Sequence, residues 1–414
     1  MKKFILLCTF CWGMLVPGAR ACTSFLAGRN ATIDGSTFIT YAADSHTLYG
    51  ALKFIPAARH PKNSTMEIRE WDTNKLLGHI PQVEYTYKVV GNMNEHQLSI
   101  TESTWGGRPE LVDTTGIIDY GSLMYIALQR AKTAREAITV MTDLVSEYGY
   151  YSSGESFSIA DPEEVWIMEM IGKGPQNQGA VWVAVRIPDD CIAAHANQSR
   201  IHKFPLDDKE NCLYSPDVIS FAREQGYFNG LNKDFSFADA YAPADFGALR
   251  GCEARVWSFY NRFNSSMGKY LSYLNGKSKE YLPLYIKPDK KLSVQDMKDA
   301  MRDHFEGTPF DMTQDVGAGP FKCPYRFRPM TFKVDSVEYT NERAVATQQT
   351  AFTLVAQMRS WLPNAIGGVL WFGVDDTNTC VYVPLYACLN EVPECYSELN
   401  GSMYDLSWTS AFWI

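Results

Sequence analysis

The chain has no Gly-rich phosphate loop, no dinucleotide fingerprint, no HExxH pair and, beyond its first residues, no CxxC pair. Their absence removes the sequence signatures of nucleotide-driven chemistry, zinc peptidases and dithiol redox sites. The 7 histidines (His46, His60, His79, His96, His195, His202, His304) are scattered without metal-ligand spacing, so neither metal nor cofactor is expected. Ser156, in Gly154-Glu155-Ser156-Phe157-Ser158, lacks the second glycine of a nucleophile elbow and reads as a loop residue. Basic residues are outnumbered, 38 Lys and Arg against 47 Asp and Glu, for a formal charge of −9. Such an acidic balance argues against a nucleic-acid partner. After the first residues no stretch is apolar for long enough to cross a bilayer, so a chain without a membrane span is expected. With 21 % charged and 13 % aromatic residues the composition is that of a dense globular protein.

What is present begins with an export leader: Lys2 and Lys3, an apolar stretch from Phe4 to Val16, then Pro17-Gly18-Ala19-Arg20-Ala21. As a helix that stretch reaches only about 20 Å, too short for an anchor. The small residues Ala19 and Ala21 place the cut before Cys22, with 1–21 as signal peptide and a periplasmic or secreted product. Loss of Lys2, Lys3 and Arg20 takes the formal charge from −9 to −12. A lipoprotein leader also ends before cysteine, but wants Leu where this chain has Ala19. Of the 10 cysteines, Cys22, Cys191, Cys212, Cys252, Cys323, Cys380, Cys388 and Cys395 remain after the cut, and their spacing fixes no disulfide connectivity.

From Cys22 the pattern predicts a strand, a turn at Asp34-Gly35 and a return strand through Ser36–Ala43, then strands at Leu48–Phe54, Tyr85–Val90 and Leu98–Thr104. Helices follow at Tyr120–Ala131 and Ala134–Tyr148, the second with a Thr133/Glu136 capping signature and Gly149 as its stop. Strands are expected at Phe157–Ala160, Val165–Met170 and Val181–Ile187. Helices are expected at Pro216–Glu224 behind a Ser215 cap, at Glu253–Phe263, and at Val294–His304 behind Ser293. The last third reads as strands at Ala344–Thr347, Thr350–Gln357, Gly368–Val374 and Cys380–Tyr386. Blocks of strands separated by blocks of helices predict an α+β fold, and two central sheets covered by helices on both outer faces fit the order. No repeat or linker marks a second domain.

Cleavage before Cys22 joins two groups in one residue. An N-terminal amine titrates near 7.7–8.0 and a free thiol near 8.5. The amine can take the thiol proton, the thiolate can attack a carbonyl, and the amine can then protonate the leaving group. No histidine is needed.

Four blocks carry a resemblance: CTSFLAGRNATIDGSTFITYAADSHTLYG, VVGNMNEHQLSITESTWGGRPEL, DTTGIIDYGSLMYIALQRAKTAREAI and FSIADPEEVWIMEMIGKG. Together they resemble the bacterial C69 dipeptidases of the N-terminal nucleophile hydrolase superfamily, relatives of penicillin V acylases and bile salt hydrolases. The resemblance implies a four-layer αββα sandwich in a single domain over 22–414. It also implies Cys22 as nucleophile, Asp44 holding the α-amine, Asn197 donating to the oxyanion, and Arg255 beside the thiolate or a substrate carboxylate. Asn94 and Glu102 are weaker candidates for substrate contact. Where the acylases carry an arginine this chain has Tyr41, and it stops at Ile414 where family members continue, implying a shortened C-terminus. The implied substrate is a dipeptide or short peptide, with self-association left open. The alternatives are an N-acyl amidase and, from a different class, a lipid-anchored binding protein attached through Cys22.

Overall fold

Residue alternation in the strand Thr37–Asp44 explains the architecture. Every residue of it is buried, yet Ile39, Tyr41 and Ala43 enter one apolar core while Phe38 and Ala42 enter another. Successive side chains of a strand point to opposite faces, so this strand is covered on both. The computed structural model describes residues 22–45, 48, 50–326, 332–335, 337–339 and 342–397. The expected leader with its cut after Ala21, His46 and the C-terminal end lie outside the described residues.

Two large sheets, antiparallel throughout, carry the fold. The first has 7 strands in the order Tyr285–Ile286, Ile192–His195, Ser24–Ala27, Thr37–Asp44, Thr350–Met358, Val369–Val374, Val383–Tyr386. The second has 8, in the order Cys212–Tyr214, Ala180–Arg186, Val165–Gly172, Gly154–Ala160, Ser99–Trp105, Met93–Asn94, Val89–Val90, Phe54–Ile55. One core joins Leu26, Ile39 and Leu354 of the first sheet to Ile167, Ile171 and Val183 of the second. A second core sets Phe25, Phe38 and Val355 of the first sheet against Trp257, Phe259 and Met297 from the helices Ala254–Phe263 and Val294–Met301. A third sets Phe157, Trp166 and Met168 of the second sheet against Leu123, Ile138 and Met141 of the helices Tyr120–Arg130 and Ala134–Tyr148. Antiparallel sheets with separate helices make this an α+β arrangement, as the sequence predicts. Among the described residues no helix is long and apolar enough to cross a membrane.

The helix ends follow local rules. Thr133 accepts from the Glu136 N–H, but the Glu136 carboxylate takes the Lys132 N–H, so only half of the expected capping box forms. Gly149 ends that helix at φ 75°, a conformation glycine adopts freely. Ser293 and Asp296 form a full box, although the helix stops at Met301 and not His304. The helix expected from Pro216 starts at Val218 with Asp217 at its cap, because the Ser215 hydroxyl accepts from Trp182 N–H at the sheet instead.

Several strand expectations need correction. Leu48–Phe54 contributes only Phe54–Ile55, Tyr85–Val90 splits into Tyr85–Thr86 and Val89–Val90, and the last strand starts at Val383, not Cys380. Ala344–Thr347 is no strand: Ala344 and Val345 enter the second core, and Ala346 N–H donates to the Asp303 carbonyl just past the helix Val294–Met301. Ser156 lies not in a loop but in the strand Gly154–Ala160, where its hydroxyl accepts from Trp105 Nε1 and meets Glu169. All eight cysteines from Cys22 onward are free thiols.

Candidate active site

Cys22 stands two residues before the strand Ser24–Ala27, which pairs with Ile192–His195 on one side and Thr37–Asp44 on the other. That register sets Ser24 opposite His195 and bridges Thr23 to Ala42, bringing the ends of three strands together at the thiol. The second sheet supplies the opposing wall, tied on by Ser24 Oγ donating to the Glu102 carbonyl at 3.3 Å.

The Cys22 side chain is 6 % exposed. Its sulfur lies 3.5 Å from Glu102 Oε1 and 3.9 Å from the Tyr41 hydroxyl, and Tyr41 in turn donates to the same Glu102 oxygen. Thr104 links the other side: its hydroxyl donates to Glu155 Oε1 at 2.7 Å and lies 3.5 Å from Glu102 Oε2. Glu155 is opposite Thr104 in the ladder, and its carboxyl hydrogen-bonds Glu102. Burial raises the Glu102 pKa above the usual carboxylate range, as fits two buried carboxyls sharing a proton. Burial first, then the facing Glu102 and Asp44, push the Cys22 thiol well above its ordinary value, with the Asp44 backbone pulling it back. At neutral pH the thiol therefore keeps its proton until a base takes it.

Arg255 binds this site from the outer side of the first sheet. It sits in the helix Ala254–Phe263, which a π-turn at Leu249–Glu253 precedes. Nη1 donates to the Cys22 carbonyl and Thr23 Oγ1, both at 2.8 Å, Nη2 to the Ala196 carbonyl at 3.1 Å and Asn197 Oδ1 at 2.9 Å, and Nε to the Gly251 carbonyl at 2.7 Å. Burial and the neighbouring Arg343 lower its pKa to about 10, so it remains a cation at neutral pH. Its fork clamps the Cys22 carbonyl to the segment of Asn197. Asn197 has φ 59°, and its side-chain amide donates to the Thr104 carbonyl at 2.5 Å.

Asp44 ends its strand beside a bulge between Thr350 and Phe352 that sets Thr350 opposite it. Thr350 donates to Asp44 Oδ1 at 2.6 Å and Arg343 pairs with Oδ2. Burial still raises the Asp44 pKa, opposed by Arg343.

Thus the four residues singled out, Cys22, Asp44, Asn197 and Arg255, gather at one place, joined by Tyr41 and Glu102. Asn94 does not: its amide donates to the Leu128 and Ala131 carbonyls, closing the end of the helix Tyr120–Arg130. Thr104, Glu155 and Arg343 escaped the sequence reading. The signal for the first two was polar residues within largely buried strands, Glu155 in one buried along its length and Thr104 at the half-buried position of the other. His195 is no base, since it lies between Ser103 Oγ at 2.6 Å and Ser158 Oγ at 2.7 Å and burial lowers its pKa to about 3. A cavity of about 880 Å³ begins at Tyr41 and Ala43 and is walled largely by apolar groups, including Phe54, Trp71, Tyr125 and Phe352.

Comparison with known proteins finds dipeptidases similar to this chain. The probable dipeptidase of Latilactobacillus sakei is 27 % identical over 95 % of this chain and 79 % of its own length. The probable dipeptidase of Salmonella dublin is 27 % identical over 93 % and 85 %, and dipeptidase A of Lactobacillus helveticus 24 % over 91 % and 77 %. Peptidase family C69 matches residues 21–414, and the chain belongs to that family.

Proposed function

We propose that this protein is a cysteine dipeptidase that works after export, with Cys22 freed as the N-terminal residue and acting through its thiol and its own α-amine. The observation that carries this is the thiol's placement: buried where the two sheets meet, 3.5 Å from a carboxyl, with the Cys22 carbonyl held by Arg255. The relatives' names supply the substrate class. The three stacked cores support an N-terminal nucleophile hydrolase sandwich in one domain from Cys22 onward.

In this mechanism the α-amine removes the thiol proton and sulfur adds to the scissile carbonyl. The tetrahedral oxyanion needs a preorganised donor, worth roughly 3 kcal/mol, and the Asn197 amide is the candidate. Collapse breaks the C–N bond as the ammonium protonates the leaving amine, leaving a thioester. Water, deprotonated by the same amine, then hydrolyses the thioester and returns the proton to sulfur. Arg255 fixes the nucleophile's backbone and Asp44 offers a carboxylate near the amine. The apolar cavity beside Tyr41 is what favours the second reading, an N-acyl amidase.

Cys22→Ala in the mature chain tests the proposal. It is expected to lower dipeptide turnover by roughly 10³-fold or more with an unchanged melting temperature, and retained turnover contradicts it. Intact mass of the exported protein is expected to show a chain starting at Cys22. A diacylglycerol adduct there would make the protein a lipid-anchored one and end the enzyme reading.

A further inference from the structure

We propose that Glu169 is a positioning residue that holds the Asn197 amide where the oxyanion develops, by anchoring the chain just past Asn197 to the second sheet. This role rests on the reading of Cys22 as nucleophile and Asn197 as oxyanion donor.

The carboxylate stands where an apolar residue is expected. Glu169 lies in the strand Val165–Gly172, where Ile167 and Ile171, two residues to either side, enter the core between the sheets, and it is 0 % exposed. Burying a carboxyl there is costly unless donors surround it. Oε1 accepts from the Arg200 N–H at 2.6 Å and the Ser156 hydroxyl at 3.3 Å, and Oε2 from the Ser199 hydroxyl at 2.5 Å and the Ile201 N–H at 3.2 Å. Three of these four donors belong to residues 199–201, which begin two positions past Asn197. The bond to Arg200 is to its backbone: the guanidinium turns away, to Glu253 at 2.9 Å and to the Ala194 and Pro283 carbonyls at 2.8 and 2.9 Å. Glu169 therefore holds a stretch of chain.

What that stretch carries gives the anchor its purpose. Of residues 192–201, all are buried except Asn197. Asn197 has φ 59°, a left-handed conformation that a residue other than glycine keeps where its surroundings fix it. The chain before it is held by His195, between the Ser103 and Ser158 hydroxyls, and the chain after it by Glu169. Both anchors lie on the second sheet, as does Thr104, whose carbonyl takes the Asn197 amide, whereas Cys22 leads into the first sheet. Releasing one anchor lets Asn197 shift relative to the thiol, and a misplacement of about 1 Å at a catalytic group costs roughly 10²-fold in rate.

The test is a double-mutant cycle, Glu169→Gln with Asn197→Ala, read as hydrolysis of L-Ala-L-Ala by the mature enzyme. Glutamine keeps the shape but turns one acceptor into a donor that faces donors. Asn197→Ala alone is expected to lower kcat by roughly 10²-fold or more. Glu169→Gln alone is expected to lower kcat and kcat/KM by the same factor, roughly 10- to 10²-fold, with KM unchanged, because the oxyanion exists only in the transition state. In the Asn197→Ala background the same substitution is expected to cost no more than about 2-fold. A merely structural role costs the same factor in both backgrounds, and that additivity overturns the proposal, as does full activity in Glu169→Gln. If Glu169→Gln does not fold, Ser199→Ala, which removes one donor and leaves the carboxylate in place, enters the same cycle. A loss confined to the chain that retains Asn197 supports the proposal, and an equal loss in both backgrounds, or none, overturns it. Failure of the underlying reading looks different, because Cys22→Ala or Asn197→Ala would then keep wild-type turnover.

Discussion

At the scale of single residues, the site is a set of buried polar groups whose charges are settled by neighbours. His195 shows how this acts on stability. The folded chain holds it neutral down to about pH 3, whereas an unfolded histidine takes a proton near 6.5. Between those values the unfolded state binds the extra proton, so stability is whole above pH 6.5 and is lost on acidification, by about 1.4 kcal/mol per pH unit. Melting temperatures between pH 7 and pH 5 are expected to fall less steeply in His195→Asn than in the wild type, and equal slopes contradict this account. Of the site itself, Cys22 and Asp44 were legible because both stand in a long block that resembles the family, and Asn197 and Arg255 because the short segments His195-Ala196-Asn197-Gln198 and Cys252-Glu253-Ala254-Arg255-Val256-Trp257 resemble it too. Glu155 was not, because only the antiparallel register, Thr104 against Glu155, carries it to Glu102. Arg343 was hidden for the same reason, since it reaches Asp44 from far along the chain.

At the scale of elements, the helices were the most readable parts, because their caps and apolar spacing are encoded within a few residues. Ala134–Tyr148 has the predicted ends, with Ala137, Ile138, Met141, Leu144 and Val145 buried on one face. Removing its cap acceptor in Thr133→Ala leaves the Glu136 N–H without that partner and is expected to cost about 1 kcal/mol, read from the urea midpoint at constant m-value, with catalysis unaffected. No change in midpoint would mean that the Lys132–Glu136 bond alone holds the end. Strands were less readable where an apolar run serves packing and not pairing. The Leu48–Phe54 run lends Leu52 to the central core and its N–H to the Tyr396 carbonyl, leaving only Phe54–Ile55 to pair. Such a partner lies hundreds of residues away and leaves no local mark.

At the scale of the whole molecule, the arrangement of three cores explains why the Cys22 thiol is buried yet near a cavity. Cys22 belongs to the core between the sheets, and Tyr41 passes from that core to the cavity wall. The order of strand and helix blocks announced an α+β fold, but not that the first sheet would be closed by the late strands Thr350–Met358, Val369–Val374 and Val383–Tyr386. That crossover is what places the bulge at Thr350 beside Asp44 and so completes the site from the far end of the chain. The account stands on Cys22 acting as both base and nucleophile, and a free α-amine is its one indispensable requirement. The most direct measurement is dipeptide hydrolysis by the chain beginning at Cys22 beside the same chain retaining Ala21. Turnover in the first and its loss in the second is the predicted result, and equal turnover in both would contradict it.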